Sequence, residues 1–427
     1  MLTRMALQDM PEVVQLPSVE TETLELFLQQ ERHALVELLK NNEQWSRANI
    51  RHYPPSPEIL AFKEGDNQQS LSTQFSAAIR INPVLKFPLF VQYPITENER
   101  KHQKLLPAST AMLKEVEDSK WIYLANGPFE SLAPGQKISA LDVVSSAADE
   151  PDYGMDMGLW EDNAGDIGEL YKWGKQPMGD STLFLGSQGP FHVAYFHESP
   201  WIYFLAPHLE YCFPEYRIHL FLELSRHAFR SQHHYWGWRF LGWALHYVQD
   251  LTQPYHTSLA PNVSTVKLMS IGMLDKLGIS GPAQNLFYQF VNRHFSLENY
   301  AYHLLNAHVT KGGYSQPVYA LADSQNDGQY LPYTHNYPRW IIAKEAHSYA
   351  QKTDNVIKES LPERYMGGSQ VAFFQGDPEP NLHEILKAQK ARASQLEASI
   401  TQLLHSFGAH SRNVVRYSLA AMTSSIP

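Results

Sequence analysis

The sequence predicts a mainly α-helical fold with long, ordered loops, and three observations predict it. Apolar residues recur at helical spacing over several stretches, near 20–48, 215–249, 266–306 and 382–407. The segments between them carry Gly, Pro and Asp rather than strand-like alternation, and neither internal repeats nor low-complexity tracts appear. With 427 residues, 43% apolar and 12% aromatic, the chain can bury a sizeable core, which excludes wholesale disorder.

Residues 20–48 place Leu24, Phe27 and Leu28, then Leu35, Leu38 and Leu39, on one helical face. The prolines of 53–57 stop that helix, because a proline neither continues one nor pairs in a central strand. Residues 58–145 are mixed; 85–94 reads as a short strand or a buried extended segment. Gly and Asp dominate 149–190, a loop whose spacing does not fit a Ca²⁺-binding template. From Glu215 to Gln249 the pattern predicts two aromatic-rich helices meeting near Ser231. Trp236, Phe240, Trp243 and Tyr247 share a face there and read as core. Residues 266–306 are helical again, interrupted at 277–282. A last helix spans about 382–407, with Gly408 where a C-terminal glycine would end it. The expected organisation is a partly helical N-terminal region at 1–140, a core at 141–310 and a C-terminal helical region at 311–427.

Composition narrows the function classes. A single cysteine, Cys212, excludes an internal disulfide and a thiolate zinc site. The net charge of −10 argues against a surface devoted to nucleic-acid backbones, so no nucleic-acid partner is expected. No apolar run reaches the roughly 18 residues of a membrane span. The start lacks the apolar stretch of a cleaved leader, since Asp9 and Glu12 interrupt it, so a soluble chain is expected.

The histidines are the unusual feature. Twelve of the twenty fall between His192 and His308, and spacing singles out a few. His246 and Asp250 stand four apart, on one face of a helix. Pro254 forces a turn there, which lets His256 swing back towards the same point. A second pair, His294 and Glu298, has the same spacing. Imidazoles and carboxylates converging from two helices suit a metal centre, whereas any one such pair alone is more often a capping or core hydrogen bond. His33 reads as part of a solvated helix face.

The run His246-x₃-Asp250-x₅-His256, with Gln253-Pro254 inside it, resembles the zinc-dependent phospholipase C family, which shares its fold with the S1/P1 nucleases. His294-x₃-Glu298 followed by Asn299 matches the phospholipase branch, and Ala147-Ala148-Asp149 matches the upstream aspartate loop. The resemblance covers about residues 149–300. It implies a phospholipase C/P1 nuclease-like helical bundle with N- and C-terminal extensions, holding two or three Zn²⁺ ions. Asp149, His246 and Asp250 would hold metal, with Asp250 bridging two ions; His256, His294 and Glu298 would hold another. One further histidine is His192 or His197, and the motif does not choose between them. The family's N-terminal tryptophan, a ligand of the third zinc, has no counterpart, since the chain starts at Met1. Residues 257–293 exceed the family's usual connection and are expected to form a rim or lid.

The implied activity is hydrolysis of the glycerol-side phosphodiester of phosphatidylcholine-like lipids at a membrane surface, with Asp149 as the catalytic carboxylate. Diacylglycerol and a phosphorylated head group would leave, with no covalent enzyme intermediate; no G-x-S-x-G elbow is present. Tyr153, Trp160, Phe191 and Tyr195 are near the site in sequence and read as packing residues rather than a choline cage. Glu150 stands where the family would place an aromatic. Such an enzyme without a leader implies leaderless export, as a secreted effector delivered to another cell in virulence, or a regulated cytoplasmic enzyme. Two alternatives stand: an S1/P1-type nuclease or nucleotidase on the same residues, and a metal-free helical binding protein.

Overall fold

The computed structural model describes residues 1–65, 69–92, 129–179, 181, 184–309, 315–373 and 380–423. Residues 93–128 of the N-terminal region, including the end of the 85–94 segment, lie outside the described residues. The mainly α expectation holds. The helices used below are α1 (Leu2–Leu7), α2 (Leu24–Asn49), α3 (Ala140–Ala147), α4 (Pro214–Arg230), α5 (His234–Asp250), α6 (Pro254–Thr257), α7 (Thr265–Lys276), α8 (Gly281–Val309), α9 (Gln316–Ala322), α10 (Lys344–Ser360) and α11 (Lys390–Thr423). Extended structure is confined to two short antiparallel pairs among the described residues, Val19–Glu20 with Lys137–Ile138 and Phe90–Gln92 with Phe129–Ser131.

The helix starts follow from capping chemistry. Thr23, Ser139 and Ser264 each accept a backbone N–H three residues on, satisfying a donor that the first helical turn leaves without a partner. The α4–α5 hairpin forms the centre, and its aromatic stripe of Trp236, Phe240, Trp243 and Tyr247 is wholly buried. α3 packs on α5, while α11 packs on α1, α4, α5, α9 and α10. One continuous apolar core therefore runs from Met5 to Val415, drawing on the N-terminal, central and C-terminal regions alike.

Gly242 sets the closest helix approach near the candidate site. It lies on α5 one turn before His246, and a Cβ there would sit 2.5 Å from Ala147 Cβ and 2.9 Å from the Val144 carbonyl. The absent side chain lets the end of α3, and the loop after it, reach the His246 face of α5.

The last helix departs from expectation. Residues 382–386 form a separate short helix, and α11 then runs unbroken through Gly408 to Thr423. Gly408 is not a helix terminus: a Cβ there would meet the Leu321 carbonyl at 2.1 Å, so the residue serves close packing against α9. A packing glycine and a terminating glycine look alike in sequence.

Candidate metal centre

α5 ends at Asp250, and Gln253 is extended (φ −89°, ψ 124°) before Pro254 opens α6. That turn brings His256 back beside Asp250, as the proline spacing anticipates. His246 Nδ1 donates to the Ala148 carbonyl (2.8 Å), which leaves its Nε2 facing inward. Around that nitrogen lie His192 Nδ1 at 3.1 Å, Asp250 Oδ2 at 3.5 Å and Asp152 Oδ1 at 3.6 Å. His256 Nδ1 likewise donates to the His192 carbonyl (2.8 Å). Its Nε2 faces His294 Nε2 at 3.0 Å and Glu298 Oε1 at 3.4 Å, and His294 stands 2.8 Å from the same oxygen.

Asp250 lies between the two groups. Its Oδ2 is 2.8 Å from His192 Nδ1, and its Oδ1 is 3.7 Å from His256 Nδ1. His192 links them too, through its ring on one side and its carbonyl on the other. His197 does not join them: its Nε2 donates to the Arg339 carbonyl (2.7 Å) beside Trp340 and His347. The helical turn Gly189–His192 aims His192 inward, while His197 follows after the chain has left that turn. Asp149 lines the same cavity but stays out of ligating distance of the imidazoles; its Oδ2 is 4.0 Å from the Met1 amine. Asp152, one 3₁₀ turn further on, takes the position beside His246 that the sequence assigns to Asp149.

Sequence reasoning missed Asp152 and Asp156. Their signal is the spacing Asp149-x₂-Asp152-x₃-Asp156, legible only once the turn closed by Gly154 (φ 103°) is known. Asp156 is fully buried. Arg217 donates to its Oδ1 from Nε (2.9 Å) and Nη2 (2.6 Å), and the Tyr247 hydroxyl donates to Oδ2 (2.5 Å). Asp156 Oδ2 stands 3.4 Å from His192 Nε2, at ion-pair distance but outside hydrogen-bond geometry. A carboxylate behind an imidazole fixes the ring's orientation and raises its basicity as a ligand.

The electrostatics are lopsided. The cavity of about 370 Å³ is lined by Asp149, Asp152, Asp250 and Glu298 but by no Lys or Arg side chain. Burial alone would lower the His192 imidazolium, but Asp250 and Asp156 outweigh it and hold the group up at about 10. Burial also opposes the charged His256, and Asp250 and Glu298 again prevail, leaving it raised. For Asp250, burial is outweighed by His246, His256 and His192, and its carboxyl is held low. Glu298 is held well below the usual range, because His294 and His256 overcome its burial. Asp152 goes the other way: burial dominates and raises it. Besides the Met1 amine beside Asp149, the raised His192 and His256 imidazoles are the groups here whose charged form the carboxylates favour.

The donor set also suits a divalent metal. Two of the three groups of candidate ligands found among the described residues lie here: Asp152, His192 and His246, and then His256, His294 and Glu298. Ligand atoms sharing one tetrahedral zinc at about 2.0–2.2 Å are roughly 3.3–3.6 Å apart. The observed separations around His246 Nε2, 3.1 to 3.6 Å, and within the second group, 2.8 to 3.4 Å, are close to that. Thiolate plays no part, since Cys212 is buried elsewhere with its thiol pushed up to about 12 by burial.

The opposite wall of the cavity is apolar: Leu297, Ala301, Leu305, Ile400, Leu404 and Phe407, from α8 and α11. Tyr153, Trp160, Phe191 and Tyr195 are buried and do not line it. Glu150 is buried as well, accepting from Trp243 Nε1 (2.7 Å) and Arg239 Nε (3.0 Å), so it faces the α5 core. His33 is 89% exposed and pairs with Glu64 at the surface.

Fold and site together define a mainly helical protein with a two-part histidine–carboxylate cluster that could hold metal, five of whose side chains line an amphiphilic cavity. Comparison of the chain with protein-family models, curated proteins and solved structures finds no match.

Proposed function

We propose that the chain is a zinc-dependent phosphodiester hydrolase of the phospholipase C class, cleaving the glycerol-side P–O bond of phosphatidylcholine-like lipids. One observation carries the reading: a bridged histidine–carboxylate cluster shares a single cavity with an apolar wall. His192, His246, Asp250 and Asp152 would hold one ion; His256, His294 and Glu298, with Asp250 between, would hold another. Bound zinc would neutralise the phosphodiester oxygens and acidify a water towards neutral pH.

The chain's own residues supply the rest. The Ala148 and His192 carbonyls, each bonded to an imidazole Nδ1, fix which nitrogen faces inward. Gln253 Nε2 donates to Glu298 Oε1 (3.1 Å) and restrains that carboxylate. Asp149 lines the cavity without belonging to either ligand group, which supports reading it as the carboxylate that would accept a proton from the attacking water. The apolar wall would take the glycerol side of the substrate and exclude water behind it. An S1/P1-type nuclease could use the same ligands, but this lining offers no Arg or Lys for neighbouring phosphates.

No helix among the described residues is long and apolar enough to cross a membrane. Apolar side chains nevertheless stand exposed beside the site's helices: Val266 and Met273 on α7, Leu277 and Ile279 in the following turn, Phe287 on α8 and Phe204 on the neighbouring short helix. On this reading that rim rests against the lipid surface. The test is release of phosphocholine from phosphatidylcholine vesicles, run beside nucleotide release from single-stranded DNA. Lipid cleavage that a chelator abolishes and zinc restores supports the proposal, whereas nucleotide release without lipid cleavage overturns it. Asp250→Asn should lose metal and activity together while keeping its helical signal.

A further inference from the structure

A second set of ligand-type side chains lies outside the cavity just described. His219 and Glu223 stand four apart on α4, and the turn before α10 contributes His335. One ligand atom from each lies within 4.8 Å of the other two. His219 Nδ1 and His335 Nδ1 face one another at 3.2 Å, the spacing seen between the paired imidazoles of the first centre. The arrangement repeats that of His294, Glu298 and His256: a His-x₃-Glu pair on one helix, met by an imidazole from a separate turn. None of the three residues lines the first cavity.

The surroundings favour a ligand role over a plain hydrogen bond between two rings. Trp45 of α2 stacks on His219 with centroids 3.6 Å apart and rings 19° from parallel, which fixes the imidazole plane and dries one side of it. His219 is 7% exposed. The Glu223 carboxylate makes no hydrogen bond or ion pair with any described residue. The nearby Arg226 is engaged with Tyr417, bonding its carbonyl and stacking over its ring at 4.2 Å. A carboxylate without such a partner beside two facing imidazoles is a donor set for a borderline divalent cation.

We infer that His219, Glu223 and His335 form a further binding site for a zinc-class divalent ion, tying α4 to the turn before α10. His335 is exposed and Glu223 only partly covered, so remaining coordination positions open to solvent. The site is independent of the proposed hydrolytic activity, and its test does not use that activity.

The experiment is zinc stoichiometry by elemental mass spectrometry on the full chain after dialysis, combined with anomalous diffraction at the zinc edge. The variant His335→Ala, at an exposed position, should lose one zinc per chain and the peak between the three residues. Glu223→Gln should weaken zinc there by tenfold or more. Asp250→Asn should keep that peak while losing metal from the first cavity. Zinc content unchanged in a folded His335→Ala protein overturns the inference. So does an anomalous map of zinc-loaded crystals with no peak at His219.

Discussion

Asp156→Asn tests the reasoning where fold and site meet. The carboxylate is fully buried and serves three groups at once: the Arg217 guanidinium, the Tyr247 hydroxyl and the His192 ring. Burial tends to raise it, but Arg217 and His192 more than compensate, so it stays ionised. Asparagine keeps the shape and one acceptor, but the buried Arg217 loses its carboxylate and is left with neutral acceptors alone, among them the Ile79 and Arg80 carbonyls at 2.7 and 2.8 Å. Breaking a buried pair from one side costs about 3–5 kcal/mol. For a chain of 427 residues with an unfolding entropy near 2.1 cal/mol/K per residue, that is a drop in Tm of roughly 3–6 °C. His192 would also lose the group behind its Nε2, weakening metal binding by about 10–100-fold. Urea denaturation gives the first quantity and chelator competition the second. Replacing both partners, Asp156→Leu with Arg217→Met, should cost less than the two single changes added, because no charge is then stranded. An Asp156→Asn protein within about 1 kcal/mol of wild type, with unchanged metal affinity, would refute the reasoning.

Three other outcomes are expected. Gly242→Ala puts a methyl 2.5 Å from Ala147 Cβ and should cost about 1–3 kcal/mol while loosening metal at His246; a neutral change would deny the close approach of α3 and α5. In metal-free protein the raised His192 contributes stability that is complete below its unfolded value near 6.5 and lost as pH rises through about 10. Zinc must displace that proton, so affinity measured by chelator competition should climb with pH over the same window, up to about tenfold per unit for each proton released; a flat profile would show the imidazole already neutral. Leu277→Asp with Ile279→Asp, both at exposed positions, should reduce hydrolysis of vesicles several-fold but leave a soluble short-chain substrate unaffected; equal loss on both would remove the rim from lipid contact.

The fold was legible where one physical rule dominated. Periodicity marked α2, α4, α5 and α8, because each buries a stripe or hides an entire aromatic face, whereas α7 buries no residue. Pro254 marked the turn that places His256, because its ring leaves Gln253 little but extended backbone. The rule failed at Gly408, where tertiary packing against Leu321 and helix termination make the same demand on sequence. The i, i+4 pairs were equally legible, since both members sit on one rigid element. Asp152 and Asp156 were not, because a loop aspartate declares its role only through the turn that aims it. His192 and His197 have the same chemistry and differ only in whether a short helix points them inward.

That contrast bears on how the two centres are to be told apart. At the first cavity Asp152, Asp250 and Glu298 stand beside the imidazoles with no Lys or Arg side chain in the lining, and the carboxylates hold His192 and His256 raised against their burial. At His219 one carboxylate faces two imidazoles, and burial keeps the buried ring neutral. Metal entering the first cavity therefore competes with protons, and metal at His219 scarcely does above neutral pH. Zinc titrations at pH 7 and pH 9 should separate the sites by this alone: affinity lost with Asp250→Asn should be steeply pH-dependent, and affinity lost with His335→Ala nearly flat. The same slope for both would mean that the carboxylate crowding does not set the protonation of His192.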